Sequence, residues 1–72
     1  MKFHEIQDPE ITEGVFQAVD GTGSPVDAAC LDVVGWFEGE RILAKFRPGS
    51  NNQIYPNQEP LRTYPIRELN YE

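Results

Sequence analysis

One histidine, His4, and one cysteine, Cys30, are the side chains best suited to metal or nucleophilic chemistry in this 72-residue chain. A metal centre needs three or four His, Cys or carboxylate ligands that close on one point, and a single imidazole and a single thiol do not supply them. No metal site is expected. The same pair could act as base and nucleophile, but no third residue is placed to orient the imidazole, and Cys30 sits between Ala29 and Leu31 like a small buried hydrophobe. Gly21-Thr22-Gly23 lacks the third glycine of a dinucleotide fingerprint and the Gly-Lys-Ser/Thr of a phosphate loop, so it predicts a turn. Glu38 and Glu40 flank Gly39 where water would solvate both, whereas acid–base work by paired carboxylates needs burial. No catalytic residue is assigned.

Binding is the better expectation. Trp36, Tyr55, Tyr64 and Tyr71 fall near turns or the ends of extended runs, where amphipathic rings make contact surfaces. If Phe16, Val33, Phe37, Ile42, Ala44, Phe46 and Leu69 fill the core, then Trp36, Tyr55 and Tyr64 are left for a protein-contact face. The net charge of −6 is unevenly placed: residues 1–40 hold nine acids and one base, residues 41–72 five bases and three acids. An acidic chain has little to offer a phosphate backbone, so direct nucleic-acid binding is not expected. The acidic half would instead suit a partner with a basic surface, and it also admits an acidic mimic of nucleic acid that blocks a DNA-handling protein. With one cysteine there is no internal disulfide, no apolar run reaches the roughly 18 residues of a membrane span, and Met1-Lys2-Phe3-His4-Glu5 opens no signal peptide. A cytoplasmic, non-membrane protein is expected.

These residues must be positioned by a single domain, residues 1–72, with a thin core, because a chain of this size buries only about 60% of its unfolded surface. Self-association into a homo-oligomer would help. Six glycines and six prolines punctuate the sequence and favour short strands over long helices. The clearest unit is a hairpin, Val33–Phe37 and Glu40–Phe46 around Glu38-Gly39, with Phe37 opposite Glu40, Trp36 opposite Arg41 and Val34 opposite Leu43. Ile42, Ala44 and Phe46 then share one face. Further extended pieces are expected at Gly14–Val19, Gln53–Tyr55, Leu61–Tyr64 and Leu69–Tyr71, and a five-stranded SH3-like barrel would hide their edges. An α+β alternative has one helix at about 25–38 packed on a small antiparallel sheet. Ser24-Pro25-Val26-Asp27 resembles a helix start, and Val26, Ala29, Cys30, Val33, Val34 and Phe37 also keep helical spacing.

Val34-Gly35-Trp36-Phe37, followed by Pro48-Gly49-Ser50 and Gln53-Ile54-Tyr55-Pro56, is similar to the plasmid-borne type II dihydrofolate reductases, themselves SH3-like barrels. The likeness covers about a third of the chain. It implies a homotetramer whose shared pore holds NADPH and dihydrofolate, lined by Ser50, Gln53, Ile54 and Tyr55 and catalysing by juxtaposition of two ligands. Three functions are therefore carried forward: a small acidic non-enzymatic interaction or regulatory module, an NADPH-dependent reductase, and an acidic nucleic-acid mimic.

Overall fold

The computed structural model describes residues 1–69. Among them, four antiparallel strands form one sheet in sequential order: β1 (Gln7–Val19), β2 (Pro25–Phe37), β3 (Glu40–Phe46) and β4 (Arg62–Pro65). Single 3-10 turns lie at Phe3–Glu5, Ser50–Asn52 and Ile66–Leu69. The architecture is mainly β, but the sheet is open, with no strand joining β4 back to β1 among the described residues. Four strands stand where five in a closed barrel were expected. Gln53–Tyr55 forms no strand, Leu69 ends a 3-10 turn, and Asn70 and Tyr71 lie outside the described residues.

The helix considered at 25–38 is overturned, because β2 runs unbroken through those residues to Phe37. Its C-terminal half pairs with both β1 and β3, so the backbone of Leu31–Phe37 finds partners on two sides. Val33, Val34 and Trp36 also prefer that pleated setting to a helix. The β2–β3 hairpin keeps the expected register, Phe37 with Glu40 and Trp36 with Arg41. Glu38 and Gly39 have φ of 51° and 80°, the double left-handed conformation whose twist matches that of the flanking strands.

The β1–β2 hairpin is much longer than sequence suggested. Its loop is Gly21-Thr22-Gly23, with Gly23 at φ 87° and the Asp20 N–H donating to the Ser24 carbonyl at 3.0 Å. One carboxylate oxygen of Asp20 accepts from the Thr22 hydroxyl and N–H and from the Ser24 N–H, at 2.7, 2.8 and 3.1 Å. Those bonds hold its carboxyl below the usual range. At the other end, β1 slips register: Gln7 pairs with Trp36 and Glu10 with Val34, so Asp8 and Pro9 bulge opposite Gly35. Pro9 is tolerated there because β1 is an edge strand.

Alternation gives the sheet two different faces. On one, Val33, Ile42, Ala44 and Phe46 pack with Ile6 into the core, covered by Met1, Phe3 and Ile54 from outside the sheet. Val33, Ala44 and Phe46 are fully buried. Phe37 packs at the margin of this cluster, as expected for a core residue, whereas Phe16 lies on the opposite face. Ile6 occupies the space that a side chain at Gly35 would need. The second face carries Phe16, Cys30, Asp32, Leu43, Lys45 and Tyr64.

Candidate protein-interaction groove

Register places Asp32 of β2 directly opposite Lys45 of β3, and their side chains meet at 3.0 Å with under a fifth of each exposed. Gly14 makes this possible, since a Cβ there would run into the Asp32 carboxylate. The same carboxylate oxygen accepts from the Cys30 thiol at 3.3 Å. Burial, then the hydrogen bond and charge of Asp32, push the Cys30 thiol up, which keeps it protonated and a poor nucleophile. For Lys45 burial works against the charged form, but the hydrogen bond and charge of Asp32 outweigh it and the net shift is upward.

A raised lysine contributes stability that is complete below its unfolded value of about 10.4 and is lost as pH rises through the folded value. A raised thiol costs stability once pH passes its unfolded value of about 8.5. Urea midpoints followed between pH 7 and 11 should therefore fall in the wild type; Cys30→Ala should remove the earlier part of that fall. Asp32→Asn should flatten the later part and cost about 2 kcal/mol at neutral pH by stranding a mostly buried ammonium. An alkaline limb unchanged in Asp32→Asn would refute the role given to this pair.

Lys45 also reaches beyond Asp32 to donate to the Val15 carbonyl of β1 at 3.1 Å. Because Asp20 and Ser24 are a hydrogen-bonded rung, alternation makes Ala18–Val26, Phe16–Ala28 and Gly14–Cys30 bonded rungs too. Val15, Gln17 and Val19 thus turn their N–H and C=O groups away from β2, toward the open edge of the sheet. That a lysine on β3 touches this outer edge means that the sheet curls about its second face. A groove of about 340 Å³ results, lined by Val15, Phe16 and Gln17 on one side and by Lys45, Arg62 and Tyr64 on the other.

The two halves of the β1 edge differ. Asp8, Pro9, Glu10 and Glu13, with the bulge, guard the lower half against strand pairing, whereas Gly14–Val19 carries no charge and no proline. In this upper half Phe16 and Ala18 are half-buried and face Ala28 and Val26 across the ribbon.

Of the three aromatic residues expected to share a contact face, Tyr64 lines the groove and Trp36 lies on the same face of the sheet, 44% exposed, toward its other end. Tyr55 does not join them: it is carried by the β3–β4 connection, whose Ile54 packs into the core from the opposite face. There its ring lies against Gly49 in a hollow bounded by Arg47, Pro48, Asn57 and Gln58. Of the four residues expected to line a reductase pore, Ile54 packs against the core and Tyr55 lies against Gly49. Ser50 starts a 3-10 turn, Gln53 is exposed, and Gln53–Tyr55 pairs with no strand. Phe16 was expected in the core, and nothing in the sequence pointed to Lys45, Arg62 or the open β1 edge as parts of a contact site; the pairing of Asp32 with Lys45 was available from the hairpin register.

No family model matches the chain, and no curated protein or solved structure was found to be similar to it.

Proposed function

We propose that the chain is a non-enzymatic protein-interaction module that receives an extended segment of a partner along the outer edge of β1. The observation that carries this is the juxtaposition, beside one groove, of the outward-facing backbone groups of Gln17 and Val19 with the side chains of Phe16 and Tyr64. Strand addition uses this combination: main-chain hydrogen bonds give affinity, and pockets for alternate side chains give selectivity. The incoming segment would act as a fifth strand beside β1 and carry the open sheet toward the barrel that the sequence suggests. Trp36, exposed on the same face, would extend the contact for a longer partner.

Selection of seven-residue peptides by display, followed by amide exchange on the complex, tests this. Selected peptides should slow exchange at Gln17 and Val19. They should bind at least about tenfold more weakly to Tyr64→Ala, which loses a ring, and to Gln17→Pro, which loses an outward donor. Tyr55→Ala should bind as the wild type does. Peptides that bind Tyr64→Ala and Gln17→Pro undiminished would remove the groove from consideration.

A further inference from the structure

We infer that the segment accepted by the β1 edge is acidic, a conclusion that rests on the strand-addition reading and specifies its partner. The chain as a whole points the other way, since its net charge of −6 would favour a basic partner. The groove is different in composition. Its charged lining side chains are Lys45 and Arg62. Lys45 is neutralised by Asp32, but Arg62 has no carboxylate within ion-pair distance among the described residues, where the other ion pair is Arg67 with Glu40.

Neighbouring acids of the β1–β2 ribbon are directed away from the groove. Glu13 and Asp27 project from the opposite face of the ribbon, Asp20 is bound up in its own turn, and Glu10 lies on the groove face but toward the Trp36 end. Exposed charges more than about 8 Å apart are largely screened at physiological salt, so a segment seated in the groove meets the Arg62 guanidinium that lines it before carboxylates on the opposite face. A carboxylate at the centre of an extended segment would meet that guanidinium in a forked, planar geometry. Alternate apolar residues on either side of it would lie against Phe16 and Tyr64.

Two soluble peptides of sequence Thr-Val-Thr-X-Thr-Val-Thr, with X as glutamate or lysine, provide the test at about 0.15 M salt. The glutamate peptide should bind about tenfold more tightly than the lysine peptide, a difference expected for gaining one exposed ion pair and avoiding one like-charge contact. Arg62→Glu should reverse the order while leaving the melting curve of the free protein close to wild type, because Arg62 is exposed. Equal binding of the two peptides, or preference for lysine, overturns the acidic specificity but leaves strand addition standing. Failure of both peptides to bind overturns strand addition itself. Protection of Gln17 and Val19 amides only in a concentration-dependent dimer would identify a second copy of the chain as the occupant and likewise overturn this inference.

Discussion

Phe46→Ala should lower the thermal midpoint by about 20 °C. The ring is fully buried at the centre of the core face and meets Phe3 edge-on, with centroids 5.6 Å apart and planes at 84°. Truncation removes the largest fully buried side chain among the described residues and leaves a cavity, at a cost of about 4 kcal/mol. In a domain of this size each kcal/mol lowers the midpoint by about 4–8 °C. Total stability is itself only about 4–11 kcal/mol at the usual value per residue, so a large share of it rests on one ring. Far-ultraviolet circular dichroism melts check this, and a fall of less than about 5 °C would mean that the residues covering Phe46 collapse freely into the space.

The second large effect is expected at a residue with no side chain. Gly35→Val places a β-branched group in the middle of a strand, where intrinsic preference alone would favour it by up to about 1 kcal/mol. Packing decides the opposite. A Cβ at this position would overlap the Ile6 side chain and lie 2.9 Å from the Gln7 carbonyl oxygen and 3.4 Å from the Pro9 Cα. Two of those three contacts are backbone of the bulge, which cannot move aside as a flexible side chain does. A loss of about 3 kcal/mol is expected in urea denaturation. A cycle with Ile6→Ala separates the two causes: the double variant should lose clearly less than the sum of the single losses, since Ile6 is already absent from the overlap. Strict additivity would mean that the backbone of the bulge accounts for the whole penalty.

The β2–β3 hairpin could be read in the sequence because every local signal agreed: a Gly-containing two-residue turn, β-rich flanks and clean alternation from Ile42 to Phe46. The same register, carried to the sixth rung from the turn, sets Asp32 opposite Lys45, so the ion pair beneath the groove was also within reach. The preceding stretch was ambiguous because Val26, Ala29, Cys30 and Val33 keep helical spacing while Ala29, Leu31, Val33 and Phe37 alternate as one face of a strand, and tertiary pairing on two sides settles the choice for the strand. Strand β1 was read as starting too late, since Pro9 looks like a boundary until a bulge at a sheet edge absorbs it. Ile6 gives no periodic signal among polar neighbours, although it is 5% exposed and plugs the core. The groove was invisible for a deeper reason. It depends on the curl that brings Val15 of β1 to Lys45 of β3, thirty residues along the chain, and such long-range geometry leaves no local pattern.

The loop at the far end of the β1–β2 ribbon is stabilised by its own Asp20, and among the described residues nothing packs where side chains at Gly21 or Gly23 would project. Folding of the core and presentation of that tip are therefore separable. Foreign sequence grafted between Gly21 and Gly23 would be displayed on a stalk remote from the buried cluster, which makes this chain a compact carrier for epitopes or reporter groups.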